Sequence, residues 1–122
     1  MRSIKGKDTK PELVVRSIAH RLGYRFRLHR ASMPGRPDLV FVGRRKVVFV
    51  HGCFWHGHAT CRDGRMQKSN TEYWTQKISG NQRRDARSIK KLRSQGWSVM
   101  TVWECQTEKP ESLANRLKRF LG

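Results

Sequence analysis

Acid is what this sequence has least of. Nine of its 122 residues are Asp or Glu, against 27 Lys and Arg, which leaves a net charge of +18. So one-sided a field draws polyanions, above all nucleic acid, with a basic ribosome-like or membrane-surface protein as the alternative. The basic residues are spread along the chain rather than gathered in a tail. Cysteine is scarce too. There are three, an odd number, which argues against a disulfide framework and, beside histidines, for a metal. No apolar run reaches membrane-spanning length, and the N-terminus lacks the apolar core of a signal peptide. The chain therefore reads as soluble and cytoplasmic, with no membrane partner. Scarcity of acid also narrows the chemistry. Any carboxylate in a site comes from Asp8, Glu12, Asp38, Asp63, Glu72, Asp85, Glu104, Glu108 or Glu111.

The length suits one domain with one core. Residues 1–8 read as a basic N-terminal arm, and 9–122 as a single domain. Thr9, Pro11 and Glu12 open a helix in capping-box fashion, with Leu13, Val14, Ile18 and Leu22 as its apolar stripe and Gly23 as its stop. "YRFRL" alternates like a strand. "DLVFV" and "KVVFV", joined by a tight turn at Gly43–Arg45, predict a hairpin that delivers the chain to His51. A helix is expected from about Thr71 to Gln95, broken or bent at Gly80, with Ile78, Ala86, Ile89 and Leu92 inward and Gly96 as its cap. "WSVMTVW" predicts another strand. "KPESLANRLKRFLG" predicts a last helix that buries Leu113, Leu117, Phe120 and Leu121. The order predicts an α/β fold, a mixed sheet flanked by helices.

The densest chemistry is "HGCFWHGHATC", residues 51–61. Cys53 and Cys61 flank His56 and His58, and Cys105 follows the last strand. If both strands end at one sheet edge, these residues make a Cys3His set, the tetrahedral donor set of structural zinc. Spacing alone leaves His56 and His58 as alternative fourth ligands. Asp38, after "GRP" at a strand start, could hold a hard cation together with the backbone carbonyl of Val50. His51 and the histidine not on zinc suit acid–base work. Glu12 is either a capping residue or an acid that orients a histidine. Phe54 and Trp55, and Tyr73 and Trp74, are aromatic pairs on basic segments and suit insertion between bases.

With "PGRPDLVF" before that loop, "TEYWTQKISGNQRRD" after it and "GWSVMTVWEC" near the end, the chain resembles the very-short-patch repair (Vsr) mismatch endonucleases. The resemblance implies a restriction-endonuclease-like fold. It implies magnesium-dependent nicking of double-stranded DNA 5′ of the T in T:G mispairs left by 5-methylcytosine deamination. Asp38 would bind magnesium and His56 would activate water. His51 would be a second catalytic histidine with Glu12 as its supporting acid. Zinc would fall to Cys53, His58, Cys61 and Cys105. Phe54, Trp55 and Trp74, with Tyr73 beside them, would form the wedge, and Lys77 and Asn81 would face the DNA. A cytosine-5 methyltransferase and a repair polymerase would be functional partners of a nucleoid-associated monomer. Two alternatives stand beside this reading: a nicking nuclease of the same fold without mismatch specificity, and a non-catalytic zinc-containing DNA-binding module.

Overall fold

A computed structural model describes residues 10–28, 32–53 and 71–122. Helix α1 spans Lys10–Arg21, with Pro11 in its first turn, where a missing N–H costs nothing. Thr9, the expected capping partner, lies outside the described residues. The buried stripe is Glu12, Val15, Ile18 and Ala19, whereas Leu13 is 49% exposed. Ile18 of the expected stripe is in the core and Val14 and Leu22 pack against it, so only Leu13 is misplaced, with Val15 taking the inward position. The sequence offers apolar residues at 13, 14 and 15, and tertiary packing chose the last. Gly23, at φ 90°, closes the helix by donating to His20 O.

The strand expected over "YRFRL" is only Arg27–Leu28, β1. Tyr24 and Phe26 instead place their rings against Phe41, at 6.3 and 5.8 Å between centroids. Strand β2 is Leu39–Phe41 and β3 is Lys46–His51. A 3-10 turn over Val42–Arg44 joins them, with Arg45 in the left-handed region at φ 54°. Helix α2 runs Thr71–Ser94 without interruption. Gly80 does not break it. A single glycine costs a helix only about 1 kcal/mol, which 24 residues of helix absorb. Ala86 is exposed rather than inward, and Gly96, at φ 93°, ends the segment as expected. Strand β4 is Ser98–Trp103, followed by a 3-10 turn over Glu104–Glu108 and helix α3 over Pro110–Leu121. No helix among the described residues is long and apolar enough to cross a membrane.

The four strands form one sheet in the order β1-β2-β3-β4. The first three are antiparallel and β4 is parallel to β3, with α2 as the crossover. Alternation along the strands sends Leu39, Phe41 and Val48 to one face, against Val15, Ile18 and Ala19 of α1 and Leu113, Leu117 and Leu121 of α3. Val40, Val47 and Phe49 take the other face, against Leu92 of α2. The result is three layers, with α1 and α3 on one side of the sheet and α2 on the other.

Candidate active site

Because β3 and β4 are parallel, both end at one edge, and His51 is the register partner of Trp103. Two residues beyond each lie Cys53 and Cys105. They meet there: the Cys105 N–H donates to Cys53 Sγ at 3.4 Å. Neither is in a disulfide. The Cys53 N–H donates to Glu104 Oε1 at 3.4 Å. The Trp103 N–H donates to Gln106 Oε1 at 2.9 Å and the Thr107 hydroxyl to Glu104 O at 2.7 Å, which lock the turn carrying Cys105. A buried thiol receiving a main-chain N–H, beside a second thiol, fits one half of a zinc site, since such donors favour the thiolate that zinc binds. His58 and Cys61, the other expected ligands, lie outside the described residues. Among the described residues no group of three or more metal-ligating side chains is gathered.

One strand over, Asp38 precedes β2. Its N–H donates to Val48 O at 3.1 Å, and its Oδ2 accepts the Val50 N–H at 2.6 Å. The carboxylate thus takes a main-chain donor of β3 where the ladder of backbone partners ends. A carboxylate offers about four lone-pair sites, so one such bond fixes it without exhausting it. Asp38 and the Val50 peptide give hard oxygen donors only, a set that fits magnesium, which keeps most of its water.

His51 is 7% exposed. Its ring packs between Phe49 and Trp103, at 5.7 and 5.4 Å between centroids. Its Nδ1 lies 3.9 Å from Asp85 Oδ2, across the gap to α2. That is ion-pair reach but longer than a hydrogen bond. Asp85 is brought to His51 by the fold, and sequence reasoning did not single it out. It stands among the nine carboxylates, and on α2 it falls seven residues after Ile78 and seven before Leu92, on the stripe that faces the sheet. Glu12 is 3% exposed and pairs with Arg16 Nη2 at 3.2 Å. Its helix touches the Glu104–Glu108 turn that carries Cys105.

At the start of α2, Tyr73 is 57% exposed, and its ring meets Trp74 edge-on at 4.9 Å. Lys77 is exposed, and Asn81, one turn on, is half-buried and accepts a bond from Arg84. His56, Phe54 and Trp55 lie outside the described residues.

The described chain is thus a mixed sheet between helical layers, with the Asp38 carboxylate and the His51 imidazole toward one end of it. The catalytic domain of the homing endonuclease I-Bth0305I superposes with a TM-score of 0.62 over 93% of this chain and 94% of that one, at 17% identity, a likeness of fold. The chain belongs to the Vsr family and is a DNA endonuclease: the family model described as DNA mismatch endonuclease Vsr matches residues 1–62. The type II nicking enzyme V.XorIIP of Xanthomonas oryzae pv. oryzae is 50% identical over 121 residues, 99% of this chain and 88% of that protein. The DNA mismatch endonuclease Vsr of Escherichia coli is 43% identical over 115 residues, 94% of this chain and 73% of that one.

Proposed function

We propose that this endonuclease nicks duplex DNA 5′ of the mismatched T in T:G mispairs, the first cut of very-short-patch repair. The observation that supports it most is Asp38, its carboxylate seated on the Val50 N–H at 2.6 Å at the edge where the two cysteines meet. Asp38 and the Val50 carbonyl would hold magnesium, which when bound neutralises charge on the scissile phosphate. His56 takes a proton from the attacking water. The hydroxyl adds to phosphorus, and the departing oxygen takes up a proton. His51 serves that second transfer through Nε2, with Nδ1 turned to Asp85, and Glu12 is the acid at the α1 end of the site. Cys53, His58, Cys61 and Cys105 would hold zinc, which ties the loop carrying His56 to β4. Phe54, Trp55, Trp74 and Tyr73 enter the base stack, and Lys77 and Asn81 face the DNA. The enzyme acts as a cytoplasmic, nucleoid-associated monomer, upstream of a repair polymerase and on lesions at the sites of a cytosine-5 methyltransferase.

A strand-resolved nicking assay tests this on T:G and matched T:A duplexes, with and without magnesium. A magnesium-dependent nick 5′ of the mismatched T, absent from the matched duplex, is expected. Equal nicking of both duplexes refutes mismatch specificity.

Asp85 is a positioning residue, acting through His51. Asp85→Asn should lower the saturated nicking rate roughly 10- to 100-fold, the scale for a group that orients another. Duplex Kd and Tm should stay near those of the parent. A rise in Kd with an unchanged saturated rate would remove Asp85 from this role.

A further inference from the structure

The sheet-facing stripe of α2 carries the site; its flank carries a second feature. Arg84, Arg87 and Lys91 follow at spacings of three and four, so they share one side of the helix, and all three are exposed. Lys77, two turns before Arg84, extends the row toward Tyr73 and Trp74. The loop that leads into Asp38 lies against this flank. Gly35 and Arg36 both have positive φ, 74° and 49°, and the Arg36 N–H closes a turn onto Met33 O at 3.1 Å. A Cβ on Gly35 would stand 2.8 Å from Ser88 Cβ and 3.1 Å from Phe49 Cε1, so the loop is pressed onto α2 and the sheet with no room for a side chain.

Between loop and helix lies a cleft of about 580 Å³, lined by Met33, Gly35, Arg36, Arg84, Arg87 and Ser88. It holds three guanidiniums and no carboxylate. Past Met33 a pocket of about 320 Å³ continues it to Lys91 and Trp97. A left-handed conformation at a residue other than glycine persists only where the surroundings impose it. Here it sets an arginine two residues before Asp38 into a cleft with two other like charges. Those charges repel one another unless an anion lies between them.

We propose that this cleft binds successive backbone phosphates of the DNA strand beside the cut, with Arg36, Arg84 and Arg87 as ligands and Lys91 and Lys77 continuing the row. The inference rests on the reading of DNA as substrate and adds a subsite that is blind to base and mismatch. Arg84 to Lys91 spans about 10 Å of helix, room for two or three phosphates at about 3.4 Å of rise per strand. A guanidinium grips phosphate by two parallel bonds, which fixes register as well as affinity. The subsite therefore places the strand relative to Asp38 before any base is read.

The test measures duplex Kd without added magnesium, so that binding is read apart from cleavage. T:G and matched T:A duplexes are titrated at chloride concentrations from about 50 to 200 mM. The variant Arg36→Gln/Arg84→Gln/Arg87→Gln should bind both duplexes alike about tenfold or more weaker. Its slope of log K against log salt should fall by about 2 to 3, near 0.9 per lost contact. Arg84→Gln/Arg87→Gln, which leaves the Arg36 turn intact, should lower the slope by about 2 and keeps the test valid if the triple variant misfolds. A control, Arg116→Gln/Lys118→Gln/Arg119→Gln, removes the same charge from α3 across the sheet and should cost less than about threefold. Equal losses in the control would make the effect one of net charge and overturn the proposal. So would an unchanged slope, a loss confined to the T:G duplex, or a parent chain that binds neither duplex. Inorganic phosphate at matched ionic strength should displace DNA no better than chloride; selective displacement, abolished in the cleft variant, would mark a free-phosphate site instead. Failure to nick T:G would leave these binding results untouched.

Discussion

Asp38→Asn should abolish most nicking, by about 10³-fold or more, while duplex Kd should stay within about threefold. The size follows from what a metal ligand supplies: several kcal/mol of charge stabilisation in the transition state, at about 1.4 kcal/mol per factor of ten. Asparagine is the right replacement because its carbonyl oxygen can still accept the Val50 N–H that Asp38 Oδ2 accepts at 2.6 Å. The end of the β2–β3 ladder therefore survives, and a rate loss is not a folding loss. Two readouts check it: single-turnover nicking of the T:G duplex in magnesium, and duplex binding without it. A variant that nicks at more than about a tenth of the parent rate would take Asp38 out of the metal site. Loss of rate and binding together would make its role structural.

The second large effect is on stability. Cys105→Ser should cut zinc content well below one per chain and lower Tm by about 10 °C, from a loss of roughly 3 kcal/mol at about 4 °C per kcal/mol for a domain of this size. Helix and sheet content at room temperature should persist. The two apolar clusters, around Phe41 and Leu117 on one face and Phe49 and Leu92 on the other, do not draw on the thiols. Nicking should fall with zinc, because the proposed ligands Cys53, His58 and Cys61 bracket His56 in the sequence. Metal analysis of purified protein and a thermal melt decide it. A variant with full zinc and an unshifted Tm would show that Cys105 is not a ligand.

The placement of several candidate site residues was legible because period and punctuation in the sequence act directly on geometry. "KVVFV" is a near-continuous apolar run, as a strand covered on both faces must be, and "WSVMTVW" marks the edge strand beside it, buried only at Val102. Once they are parallel neighbours, Cys53 and Cys105 have to meet. Asp38 was legible from its place before a strand. Asp85 was harder to see: its spacing from Ile78 and Leu92 puts it on the sheet-facing stripe, but nothing in "RRDAR" names His51 as its neighbour. Only the packing of α2 on the sheet sets it against His51. Leu13 misled for a similar reason. Three consecutive apolar residues leave the phase of a helix open by a third of a turn, and α3 and the sheet settled it. Gly80 misled in the other direction, since a long helix carries one weak residue at little cost. The short β1 reflects two aromatics whose burial against Phe41 outweighs ladder bonds.

The parallel register has a further consequence. Lys46 is opposite Ser98 and His51 opposite Trp103, and each cysteine comes seven residues after the first member of its strand. The sheet is a ruler with two equal arms, and the thiols are its tips. A slip of β4 by one residue would carry Cys105 about 3.3 Å along the sheet and turn its neighbours to the opposite face. Misassembled chains would thus lose the meeting of the two thiols before they lost their hydrophobic collapse. If these thiols hold zinc as proposed, zinc retention would sort correctly registered molecules from near misses, and the endonuclease would be armed only once its strands are aligned.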